Sequence, residues 1–211
     1  MDKNRLLKFA LYLSIITIVY NIIEGLISIS FGLEDETIAL FGFGIDSFVE
    51  VISGIGVLHM ILRMQKFDIE QHDKFEKTAL RITGTVFYIL ALGLIMGSIA
   101  NLVYKIEPST TIVGIIISSV SIITMYLLMK TKLKVGNELN SDAIIADANC
   151  TKTCFYLSFI LLASSGLYEF FGIAYFDIIG ALGISYFAYK EGKEAFEKAN
   201  KNKIECCDSC H

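Results

Sequence analysis

"GFGIDSFVEV", residues 42–51, places two carboxylates, Asp46 and Glu50, in one of the most apolar parts of the chain. Four residues is one helical turn, so both fall on one helix face. The surrounding run, residues 37–62, has the length of about 20 mostly apolar residues that crosses a hydrocarbon core. An ionisable group at such depth is costly, and by default it marks a functional site. Reading this run as a membrane span decides the fold, because five further runs repeat the pattern. They are residues 6–30, 79–103, 110–129, 140–164 and 171–189. The runs are too long and too apolar on every face for a soluble helical core.

Composition agrees. The chain has 211 residues, 54% of them hydrophobic, and its mean hydropathy of +0.59 exceeds that of ordinary soluble domains. The N-terminus has a basic start and an apolar run. That run is too long for a signal-peptide core and lacks a small-x-small cleavage site, so it reads as the first membrane helix. A formal net charge of −4 supplies no basic field for nucleic acid.

Basic residues set the orientation. Lys3, Arg5 and Lys8 precede the first span; Arg63, Lys66, Lys74, Lys77 and Arg81 flank the second connection; Lys130, Lys132 and Lys134 lie between the fourth and fifth spans; Lys190, Lys193, Lys198, Lys201 and Lys203 follow the sixth. The alternate loops carry "LEDET", a lone Lys105 and "LYEFFG". The expectation is an all-α integral membrane protein of six transmembrane helices with both termini cytoplasmic, placed in the cell membrane. Residues 1–200 form the helical domain and residues 201–211 a short Cys/His-rich tail.

Cys150 and Cys154 repeat the one-turn spacing of Asp46 and Glu50 on the fifth span. Counted from the span starts, the carboxylates lie roughly 14 and 20 Å deep and the thiols roughly 15 and 21 Å, at 1.5 Å per residue. Both pairs fall near the middle of a core roughly 30 Å thick. Two carboxylates and two sulfurs at one depth make a four-ligand site of the kind zinc takes tetrahedrally. A hydrogen-bonded acid pair and small apolar packing of the cysteines are the plainer readings of each half.

Three stretches resemble the cation diffusion facilitators, a family of divalent-metal/proton antiporters. "SISFGLEDETIALFGFGIDSFVEVISG" is similar to their first loop and second helix. "SDAIIADANCTKTCFYLSFILL" is similar to their fifth, and "YFDIIGALGISYFAYKEGKEAF" to their sixth. The resemblance implies a six-helix transporter in which Asp46, Glu50, Cys150 and Cys154 ligate the cargo. Asp147 matches the leading Asp of the fifth-helix motif and is a possible entrance ligand, and Asp177 matches the Asp that starts the sixth helix. Cys stands at both fifth-helix positions where the family uses His and Asp, and Glu50 replaces an Asp. The family's cytoplasmic domain of roughly 80 residues has no counterpart here, which leaves a homodimer open.

Thiolates favour zinc, cadmium, mercury or copper(I) over hard ions; zinc is the first expectation for the cargo. Ligands bind deprotonated, so metal entry releases protons. The expected function is therefore transport of such a metal, by resemblance efflux, coupled to protons by alternating access. A membrane thiol oxidoreductase, a non-transporting metal sensor and a partner subunit are the alternatives. The expected partners are the metal, protons and lipid. Lys152 points away from the cysteines and reads as a partner for Glu24 or Asp147, or as a cation acting on the thiols. Glu24 and Asn21 on the first span either serve an ion path or pair with Lys152. Asp177 caps the sixth helix or pairs at the outer side. Two weaker metal candidates remain. One is Asp68 and His72 in the second connection, where solvated charge is the plainer reading. The other is the tail "CCDSCH", with Cys206, Cys207, Cys210 and His211. His59 reads as a packed histidine.

Overall fold

The computed structural model describes residues 3–35, 37–64, 73–105, 107–139 and 142–200, with most of their side chains. These residues form six helices: α1 (Lys3–Glu34), α2 (Ile38–Met64), α3 (Asp73–Tyr104), α4 (Ile112–Leu139), α5 (Asp142–Phe171) and α6 (Tyr175–Asn200). Five of them, α1 to α5, contain stretches long and apolar enough to cross a membrane. The sixth is not among these five, because Asp177 precedes its apolar part and Lys190, Glu191 and Lys193 follow it. Large apolar side chains face outward along the bundle, including Tyr12, Val19, Ile23 and Leu26 on α1, Ile89, Met96 and Val103 on α3, and Ile116 and Ile123 on α4. An exposed apolar surface of this extent suits lipid rather than water. The architecture is that of a membrane helical bundle.

The helices associate in three tight pairs, α1 with α2, α3 with α6 and α4 with α5. Glycines make each pair close. A Cβ on Gly32 of α1 would stand 2.6 Å from the backbone nitrogen of Phe41, and one on Gly44 2.8 Å from that of Ile29. Gly84 and Gly192 seal α3 to α6, and Gly136 seals α4 to α5 against Ile145. Small residues let backbones approach where lipid supplies no hydrophobic drive between helices.

Two apolar clusters frame the interior. The larger joins α2, α3, α5 and α6 through Leu40, Phe43, Leu90, Leu94, Leu157 and Ile184. The smaller joins α1, α4 and α5 through Leu6, Ala10, Leu13, Met125, Leu128, Val135 and Ile144. Between them polar side chains meet where α1–α2 faces α4–α5: the Ser121 hydroxyl reaches Glu24 and the Cys154 thiol reaches Asp46.

Helix starts are tied by acids of other helices. Asp177 does not cap its own helix. It accepts from the backbone N–H of Ile38 (3.0 Å) and Ala39 (3.2 Å), at the start of α2. Glu169 near the end of α5 likewise accepts from the N–H of Thr111 (3.2 Å), just before α4. These are the orphan donors of a helix N-terminus, where an acid is favoured. The turn after α1 meets the segment before α4: the Ser109 N–H donates to the Asp35 carbonyl (3.0 Å) and its hydroxyl to the Asp35 carboxylate (3.2 Å).

Candidate metal centre

The α2 backbone presents Asp46 and Glu50 on one face, as their spacing requires, and α5 brings Cys154 against them. One ligand atom from each lies within 4.8 Å of the others. The Cys154 thiol donates to Asp46 Oδ2 at 3.8 Å. Asp46 is only 2% exposed and Cys154 is also buried, while Glu50 is half-buried. An ion held by all three at about 2.0–2.3 Å requires them to close in by about an ångström. The donor set is two hard oxygens and one soft sulfur.

The surroundings are built from the other helices. Asn21 of α1 donates its amide to Glu50 Oε2 at 2.8 Å. Glu24, one turn along α1, accepts from Tyr20 (2.9 Å) and from Ser47 (3.1 Å), the residue after Asp46. The carboxylates of Glu24, Glu50 and Glu191 all act electrostatically on Asp46.

Lys132, which the sequence places between the fourth and fifth spans, is a buried cation beside the candidate centre. It lies inside α4, is 1% exposed and donates to Thr151 Oγ1 at 3.1 Å. Its charge acts on Glu50. Its neighbours Lys130 and Lys134 are exposed. The signal was present: the buried face of α4 runs Gly114, Ser118, Ser121, Met125, Leu128, Lys132. That three-and-four spacing includes Lys132 once the helix is carried past Met129.

Lys152 does not pair with Glu24 here. Its ammonium lies 5.9 Å from the Tyr156 ring centroid, and Glu24 is held by hydroxyls instead. Asp147 and Cys150 lie on α5, but their side chains are outside the described residues, as is that of His59 on α2. Asp68, His72, Cys206, Cys207, Cys210 and His211 also lie outside the described residues.

No protein-family model matches the chain. An uncharacterized transporter of Methanocaldococcus jannaschii is 30% identical to it over 174 residues, covering 80% of this chain. The chain spans about 60% of that relative's length.

Proposed function

We propose that the protein is a multi-pass transporter that carries a soft or borderline divalent metal, zinc first, through the centre formed by Asp46, Glu50 and Cys154. The observation that carries this reading is the meeting of two acids from one helix and a thiol from another inside a membrane-type bundle. Buried charges persist where they are paired or coordinate metal, and this donor set suits zinc or cadmium better than magnesium or calcium. The transporter relative supports transport in general; the metal rests on the site. Resemblance to the cation diffusion facilitators supports six spans, cytoplasmic termini, placement in the cell membrane and efflux. Cys150, one turn before Cys154, is the natural fourth ligand, and Asp147 a further oxygen at the entrance. Metal entry displaces protons from the ligands, which makes proton antiport the matching energy source.

Purified protein in liposomes should take up zinc and cadmium under a pH gradient. Asp46→Ala should abolish uptake. Cys154→Ser should lower cadmium affinity by about 100-fold while changing manganese affinity only a few-fold, because it removes the soft donor alone. Unchanged flux in both variants would refute the site. Turnover of a quinone through the cysteines, with no metal flux, would establish the oxidoreductase instead.

A further inference from the structure

The three lysines that follow the apolar run of α4 point different ways. Lys132 turns inward to Thr151, whereas Lys130 and Lys134 are exposed. A spacing of four puts these two on one face, about 6 Å apart along the axis. They border a cavity of about 520 Å³ between α4 and the start of α1, a size that takes a small-molecule group. Leu6 of α1 and Val135 of α4 line it too. Both are buried members of the apolar cluster that joins these helices, so the cavity has an apolar floor. Phe9, 40% exposed, forms a further wall.

The charge around this cavity is positive. Among the described residues no ion pair engages Lys130 or Lys134; the Lys130 ammonium lies over the Tyr126 ring, 4.5 Å from its centroid. Arg5 and Lys8, exposed in the first turns of α1, add to the positive charge of this end. Glu138, the acid that lines the cavity, lies a turn beyond Lys134. Depth is the second observation. The apolar run of α1 begins at residue 6 and that of α4 stops at residue 129, so the cavity lies where a hydrocarbon core gives way to headgroups. From there the outer faces of α1 and α4 carry exposed apolar side chains, Tyr12, Val19, Ile123 and Leu127 among them. An occupant therefore meets cations at one end and a lipid-facing surface at the other. A soluble anion would use the lysines and leave the apolar floor wet; a phosphate that carries acyl chains satisfies both.

We propose that this cavity binds one anionic phospholipid, with its phosphate between Lys130 and Lys134 and its acyl chains on Leu6, Phe9 and the apolar outer faces of α1 and α4. Basic pockets between membrane helices hold anionic headgroups in this way. The lipid bridges α1 of one tight helix pair to α4 of another, so its binding stabilises the bundle. Each lysine near the headgroups favours an anionic lipid by a factor of about five, and the two together by about 25.

The test offers detergent-purified protein phosphatidylglycerol and phosphatidylcholine of identical acyl chains. Retained lipid is counted by native mass spectrometry, and the melting temperature is read in parallel. Wild type should retain one phosphatidylglycerol with about 25-fold preference and melt higher with it. Lys130→Gln/Lys134→Gln should cut the preference to about threefold or less and lose the rise in melting temperature. Lys130→Arg/Lys134→Arg, which keeps the charge, should retain both. So should Lys190→Gln/Lys193→Gln, which changes exposed lysines of α6 outside the cavity. No preference in wild type, or full preference in Lys130→Gln/Lys134→Gln, would overturn the site. Equal loss in Lys190→Gln/Lys193→Gln would also overturn it, because the lysines would then only snorkel to a generally charged surface. So would glycerol phosphate raising the melting temperature as much as phosphatidylglycerol, since chains would then contribute nothing. If Lys130→Gln/Lys134→Gln melts lower even in phosphatidylcholine, the arginine pair decides: retained preference supports the site and lost preference overturns it.

Discussion

At the residue scale, a buried ammonium beside the proposed cation site is the least expected arrangement. Lys132 is 1% exposed and its charge acts on Glu50. Burying an unbalanced acid pair is more costly than burying it with a cation nearby, so Lys132 supports Asp46 and Glu50 when no metal is bound. The same charge repels an incoming divalent ion. At an effective dielectric near 20, unit charges several ångströms apart interact by a few kcal/mol, which leaves room for an effect of about tenfold after relaxation. Lys132→Met, which keeps the length of the side chain, should therefore raise zinc affinity by about tenfold in a calorimetric titration. A fall of similar size would mean that the ammonium holds the ligands in place instead of opposing the ion. The site was half legible in the chain itself. Asp46, Glu50 and Cys154 announce themselves, because a one-turn spacing of polar groups in an apolar run has few other readings. Lys132 does not, because three alternating lysines after an apolar run look like a loop unless the small-residue face of α4 is followed through them.

At the element scale, the helix starts are held by acids from other helices. Asp177 satisfies two donors of α2 while sitting in the first turn of α6. Removing a side-chain cap costs about 1–2 kcal/mol, and a charged cap on a helix dipole lies toward the upper end. Asp177→Ala should lower the thermal stability of the detergent-solubilised protein by that amount, and Asp177→Asn, which still accepts a hydrogen bond, by less. A melting temperature unchanged in Asp177→Ala would show that the α2 start is held by Thr37 and the helix contacts alone. Sequence length and apolarity anticipated the six helices of the described residues; five of them contain apolar runs long enough to cross a membrane, and such runs have no other stable form in lipid. Their ends were harder to place. The fourth run was expected to stop at residue 129, yet α4 continues to Leu139, since a helix need not end where its apolarity ends. Which helix Asp177 would cap was equally hidden, because it depends on the pairing of α6 with α2 and not on local spacing.

At the scale of the whole molecule, the three glycine-sealed pairs are the natural units of a rocking motion, and the seam between α1–α2 and α4–α5 is the boundary along which they would part. Backbone contacts such as Gly32 against Phe41 resist sliding within a pair. Across the middle of the seam the contacts are polar, such as the Ser121 hydroxyl to Glu24 and the Cys154 thiol to Asp46. The two ends of the seam are closed differently. At the end bearing Arg5 and Lys8, the apolar cluster of Leu6, Ala10, Leu13 and Val135 fills it. At the other end the closure is the polar tie of Ser109 to Asp35. Alternating access through this seam requires that tie to break on each cycle, as packed units that rock about a fixed central site must part at one end and then the other. A protein carrying Asp35→Cys and Ser109→Cys places two thiols where the backbones are already bonded at 3.0 Å. Oxidation should join them, lower zinc flux in liposomes by at least about tenfold, and leave zinc binding at the centre intact; a reductant should restore the flux. Full flux through quantitatively cross-linked protein would show that the seam does not open at the Asp35 end, and that the metal leaves the centre by another route.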